Sequence, residues 1–280
     1  MTKKIALILL CVVGISNAQN FQGKAIYKTN KKSNITLGED QSSKMTDDMK
    51  AQIQTRLQKM NQKTFTLEFD KSTSLYKEDV TLKTPSIASR GGVSAFSLGV
   101  NGITDTYYKN IKENRFVNQT EIQGKRFLVK DKLRDFDWKL TSQTKNIGNY
   151  TCYKATFSEE VVKITQVVEA EKLIKKEEKE TKTTVAWYTL QIPVSNGPDK
   201  YQGLPGLILE LNDGTTTMVC TEIILDKSKT ITINEPKKGK EVSLSEYINI
   251  RKQKQKEMLE QFRSKRGVDL GNGTIIKIKN

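Results

Sequence analysis

The chain has 280 residues, a formal net charge of +15 from 47 Lys and Arg against 32 Asp and Glu, three cysteines and no histidine. Without imidazole it lacks the Ser–His and Cys–His nucleophilic arrangements, the commonest zinc ligand sets and the most frequent general base. It also has no CxxC pair and no glycine-rich phosphate loop, so no metal and no cofactor is expected; its basic residues are scattered without an aromatic stacking platform, which argues against nucleic acid as a partner.

In chain order, Lys3 and Lys4 precede the apolar run Ile5 to Val13, and Ser16-Asn17-Ala18 has the small–x–small form of a cleavage site. Residues 1–18 read as a secretory signal peptide, with residues 19–280 as one domain of an exported, periplasmic or outer-membrane-associated protein of a Gram-negative envelope. The leader's apolar run is too short to span a bilayer, and no later segment is apolar enough, so no transmembrane segment is expected.

Strands are predicted over Phe21 to Thr29, Thr64 to Asp70 (Phe65, Leu67 and Phe69 on one side), Ser74 to Leu82, Thr106 to Asn110, Arg115 to Thr120 and Arg126 to Val129. A helix is predicted over Asp47 to Gln62, where Met49, Ile53, Leu57 and Met60 recur at helical spacing. Pro85 to Asp105 reads as a loop, with a short strand at Phe96 to Val100 as the alternative. Trp138 to Ser142, Tyr150 to Ser158, Glu159 to Val168 and Thr183 to Thr189 continue the antiparallel theme. The Glu- and Lys-rich stretch Glu169 to Lys182 is either a short exposed helix or a hairpin tip. Ile231 to Asn234 is read as a strand, Ser243 to Lys265 as a second helix opened by a Ser243/Glu246 capping box, and Thr274 to Lys279 as an edge strand. The sum is an α+β protein, predominantly antiparallel β: one large curved sheet or half-open barrel with two helices packed on it.

The densest motif is Tyr201-Gln202-Gly203-Leu204-Pro205-Gly206-Leu207-Ile208-Leu209-Glu210-Leu211. Pro205 fixes its φ and Gly206 accepts a positive one, so Leu204-Pro205-Gly206-Leu207 reads as a type II turn, with Gly203 allowing a second change of direction or a close backbone approach. Asn212-Asp213-Gly214 is a hairpin signal. Glu210 interrupts a buried-looking strand: it is either an acid or base with a raised pKa, or a carboxylate turned to solvent or paired. Trp187, Tyr188 and Tyr201 flank the motif and could line a cleft for an apolar or sugar ligand; their alternative is packing on the sheet. Asp135 and Asp137 are a weak oxygen-ligand pair. Cys152 and Cys220 read as a disulfide in an oxidising compartment, with two buried free thiols as the alternative.

Gly203 to Ile208 spells GLPGLI. Together with Trp138-Lys139-Leu140-Thr141, Asn146-Ile147-Gly148-Asn149-Tyr150-Thr151-Cys152-Tyr153-Lys154-Ala155 and Ala186-Trp187-Tyr188-Thr189, it makes the chain resemble the GLPGLI family of secreted bacterial proteins. That resemblance implies an envelope protein without an assigned activity, encoded beside TonB-dependent outer-membrane transporters, and it carries no catalytic residues. A non-enzymatic binding or accessory protein, with an outer-membrane transporter or other envelope protein as partner, is therefore expected. The alternatives are a periplasmic carrier of an apolar ligand and a carboxylate-dependent hydrolase using Glu210.

Overall fold

The computed structural model describes residues 22–32, 46–48, 52, 55, 61–79, 105–169, 172–225 and 232–266. Twelve strands form one sheet. They are β1 (Gly23–Lys31), β2 (Gln62–Phe69), β3 (Thr73–Glu78), β4 (Thr106–Asn110), β5 (Arg115–Ile122), β6 (Lys125–Lys132), β7 (Lys139–Ile147), β8 (Tyr150–Glu169), β9 (Lys172–Thr189), β10 (Leu207–Asn212), β11 (Thr216–Leu225) and β12 (Lys240–Val242). Helix α1 covers Leu244–Arg266. The strand order is β12-β6-β5-β4-β3-β2-β1-β11-β10-β9-β8-β7. All pairings are antiparallel except β12 on β6. Two meanders, β1 to β6 and β7 to β11, thus meet where the last strand of the second lies beside the first strand of the first.

The α+β expectation with two packed helices is corrected: the protein is predominantly β, and α1 is the only full-length helix among the described residues. Of the helix expected over Asp47 to Gln62, Asp47, Asp48, Gln52 and Thr55 are helical but exposed. Asn61 is helical and half-buried, Gln62 already belongs to β2, and the remainder lies outside the described residues. The expected strand at Ile231 to Asn234 is irregular over 232–234, where Ile233 covers the cluster of Tyr108, Val117 and Leu128 on one sheet face. Phe96 to Val100 and Thr274 to Lys279 lie outside the described residues.

The sheet buries both faces, so many of its strands carry apolar residues in both phases. One face of β1 and β2 presents Ala25, Tyr27, Leu67 and Phe69, which form a core with Ile192, Val194, Leu207 and Leu209. The opposite face of the second meander carries Ala155, Ala186, Tyr188, Ile208 and Leu211, closed by Tyr201 and Leu204. Near the other end of the sheet, Phe116, Phe127, Val129 and Val242 receive Tyr247 and Ile250 of α1. The α1 start is capped reciprocally: Glu246 N–H donates to Ser243 Oγ at 3.2 Å, and Ser243 N–H to a Glu246 carboxylate oxygen at 2.7 Å. The exposed β7 edge is polar and breaks register between Leu140 and Thr144, which keeps it from offering a straight ladder to another strand.

The join between β10 and β11 is narrow. Their ladder runs only over Glu210, Leu211 and Asn212, opposite Val219, Met218 and Thr217. Before it, Leu207 N–H donates to Ile192 O at 3.0 Å and Ile208 N–H to Asn196 O at 3.0 Å. The connection from β9 to β10 therefore wedges beside the start of β10, and the GLPGLI turn ends that wedge.

Candidate functional site

The β9–β10 connection, Leu190 to Gly206, folds back on itself. Asn196 and Gln202 form an isolated antiparallel bridge, and Tyr201 N–H donates to Pro198 O at 3.2 Å. At the tip, Asp199 takes φ 52°, a left-handed conformation that a residue other than glycine adopts at a cost. Asn196 Oδ1 accepts from Gly197 N–H (2.9 Å) and from Ser74 Oγ on β3 (3.1 Å), which ties the loop to the first meander.

Inside this loop sits Lys109 of β4, fully buried. Its ammonium donates to the carbonyls of Gly197 (2.7 Å), Asp199 (2.7 Å) and Tyr201 (3.0 Å). An ammonium has three N–H groups, and all three are filled. Burial pushes the Lys109 pKa down to about 7, opposed by the Asp199 carboxylate. The sequence reading missed this residue. Its only signal is phase: Tyr107 and Lys109 share a face of β4, so a lysine stands where the alternation points inward. Near it, Tyr76 Oη is buried without a hydrogen-bond partner among the described residues, as is Asn118 Oδ1 two strands away in the same row.

The motif glycines work differently from the type II turn expected of Leu204-Pro205-Gly206-Leu207, and that reading is corrected. Gly206 does not take positive φ. A Cβ there would stand 2.0 Å from Thr189 O, so Gly206 is needed for close approach of two backbones. Gly203 takes the positive φ, 96°, and lies against the Trp138 indole. Trp138 Nε1 donates to Gln202 O at 2.9 Å, and Gln202 Nε2 to Arg134 O at 2.9 Å. Leu204 is buried and Pro205 exposed.

The four residues read as a ligand cleft separate into two groups. Trp187 and Glu210 are directly opposite one another in the β9–β10 ladder. Lys145 joins them from β7: its ammonium is 2.8 Å from a Glu210 carboxylate oxygen and 4.5 Å from the Trp187 ring centre. Glu210 is half-buried, and its carboxylate is paired with Lys145. Tyr188 and Tyr201 are buried in the core of the opposite face. Tyr201 Oη donates to Asp213 Oδ2 at 3.4 Å.

Cys152 and Cys220 are both buried free thiols within one core cluster, so the expected disulfide is corrected to its alternative. They lie on β8 and β11, with β9 and β10 between them in the sheet. Burial pushes the Cys152 thiol up to about 11 and the Cys220 thiol up to about 12, so neither offers a thiolate near neutrality. Asp135 and Asp137 are exposed while Phe136 and Trp138 between and after them pack inward, and no group of three acidic or sulfur ligands occurs among the described residues. Ile192 and Val194 occupy the face of β1 and β2 that an apolar ligand would need. An open groove of about 380 Å³ lies at the β5–β6 end, lined by charged residues including Arg115, Lys130 and Asp131. No helix among the described residues is long and apolar enough to cross a membrane.

No curated protein matches the chain. Two solved structures overlay on it, "Structure of PNGF-II in C2 space group" (TM-score 0.45, 13% identity, 84% of this chain and 33% of that one) and "Structure of PNGF-II in P21 space group" (TM-score 0.46, 14% identity, 84% and 34%). The chain spans about a third of the length of those structures. The family described as "Protein of unknown function (Porph_ging)" matches residues 138–210, the stretch from the Trp138 anchor through the β9–β10 wedge to Glu210.

Proposed function

We propose that this is an exported, non-enzymatic binding or accessory protein of the GLPGLI type, acting in a Gram-negative envelope beside an outer-membrane transporter or another envelope protein. The observation that carries the proposal is the use made of Lys145. It ties up Glu210, the carboxylate set among the apolar residues of β10, and lays its charge on Trp187. The other groups suited to chemistry are similarly engaged: Lys109 by three carbonyls, the two thiols by burial. What stays partly open is an indole with a paired cation and anion at its edge, a combination suited to holding a partner rather than turning over a substrate. The GLPGLI resemblance supports the envelope address, and the filled face at Ile192 and Val194 speaks against a carrier of apolar ligands.

The test is a cross-linking pull-down from envelope membranes with the wild-type protein and a Trp187→Ala variant. A reproducible membrane-protein partner, weakened in the variant, is the expected result. Recovery of no reproducible partner, or a hydrolytic activity abolished by Glu210→Gln, would sink the proposal.

A further inference from the structure

β8 and β9 outrun the rest of the sheet. Their mutual ladder continues to Glu169 opposite Lys172. β7 leaves β8 at Thr156, and β10 leaves β9 at Val185. Beyond those points the hairpin is a two-stranded arm, and among the described residues no third strand lies on either edge. A two-stranded ribbon is marginal in water, and three or more strands are ordinarily needed. The two edges differ in character. The β9 side reads Lys175-Lys176-Glu177-Glu178-Lys179-Glu180, a run of charge that discourages strand addition. The β8 side reads Val161-Val162-Lys163-Ile164-Thr165-Gln166-Val167-Val168, eight residues of high β propensity with one charge and no Gly or Pro.

We propose that the β8 edge of the arm pairs antiparallel with the same edge of a second copy of this chain, about a two-fold axis through Gln166. Charge selects the partner and the register. With Gln166 opposite its symmetry mate, Thr165 faces Val167, Ile164 faces Val168 and Lys163 faces Glu169. By symmetry that last pair occurs twice. Opposed residues must share a face, so within β8 the neighbouring registers centre on Thr165, which sets Lys163 against Val167 and loses both opposite-charge pairs, or on Ile164, which sets Glu159 against Glu169, two like-charge pairs. The product is a four-stranded sheet with its charged β9 strands outermost and a closed, isologous contact. This inference does not depend on the transporter-linked reading, and its outcome is read separately.

The experiment is sedimentation or light scattering of the purified protein across a concentration series, with folding of every variant checked by circular dichroism. The wild type is expected to dimerise. Lys163 and Glu169 already face Glu178 and Lys172 in the arm's own ladder, so each variant reverses a whole ladder pair. Lys163→Glu with Glu178→Lys, and Glu169→Lys with Lys172→Glu, should each weaken dimerisation about tenfold or more, because each turns two attractive intermolecular pairs repulsive while the arm keeps opposite charges. The double variant, with both ladder pairs reversed, restores opposite charges between the chains and should recover the dimer. A wild type monomeric to submillimolar concentration, a dimer indifferent to either reversal, or a double variant no better than the singles would each overturn the proposal.

Discussion

Lys109 shows how one side chain can organise a segment far from it in sequence. The carbonyls of Gly197, Asp199 and Tyr201 converge because alternate residues of the small bridged loop turn the same way, and the ammonium fills the space between them. Lys109→Met keeps most of the aliphatic stem but leaves three acceptors without a donor; a loss on the order of 3 kcal/mol is expected in urea unfolding. The folded-state pKa near 7 lies below the ordinary lysine value, so between about pH 7 and 10 the unfolded chain holds a proton that the folded one has released. Stability from this group therefore rises with pH across that window, and the rise should be missing in Lys109→Met. The glycines allow a second, sharper test. Gly206→Ala drives a methyl into Thr189 O, a backbone atom held by the β9–β10 ladder, and should cost on the order of 3 kcal/mol. Gly203→Ala meets only the Trp138 ring at contact distance and pays for its positive φ, about 1 kcal/mol. The reverse order in denaturation would restore the turn reading of Gly206.

At the scale of elements, the β10–β11 hairpin depends on the carboxylate of Asp213. Burial raises its pKa, but the N–H groups of Thr216 (2.7 Å) and Thr215 (2.9 Å) and the Lys182 ammonium (3.2 Å) outweigh that, leaving the carboxyl below its ordinary value. A depressed carboxyl contributes stability that is complete above the unfolded-state pKa near 4 and is lost as pH falls through the folded value. Thermal melts at neutral and acid pH should show the wild type losing its advantage over Asp213→Asn only at acid pH; a constant gap would remove the charge from the explanation. The same hairpin shows what sequence can reveal. Asn212-Asp213-Gly214 announces it because turn chemistry is local. Phe65, Leu67 and Phe69 announce β2 because alternation is local, and Ser243 with Glu246 announces α1 for the same reason. Gly206 was misjudged because its constraint is Thr189, seventeen positions earlier, brought alongside by strand pairing. Lys109 was missed because its partners lie about ninety residues away. The charged stretch after Glu169 has neither helical nor strand periodicity, so its place in β9 depends on pairing with β8. Trp187 stands out by flanking the motif and Glu210 by interrupting an apolar strand, and only the β9–β10 register, with Lys145 brought in by β7, explains why they meet.

Taken whole, the molecule divides into a body and an arm that differ in how they are held. Within the body, strands other than the sheet edges have two neighbours, and apolar clusters lie on both faces, bridged by the Leu190 to Gly206 wedge. Among the described residues, the arm beyond Ser158 and Thr183 has only its own two strands. At its base Arg134 reaches Glu159 at 2.5 Å and Lys182 reaches Asp213. Cooperative stability should therefore reside in the body. Residues 160–181 can be excised and Glu159 joined to Lys182, its ladder partner, through an Asn-Gly turn, because that link matches the right-handed twist of the strands. The shortened protein should keep the wild-type urea midpoint, measured on monomer in dilute solution so that association adds nothing to the comparison. A midpoint clearly below that of the wild type would show that the arm packs on the body and is not free to reach a second chain.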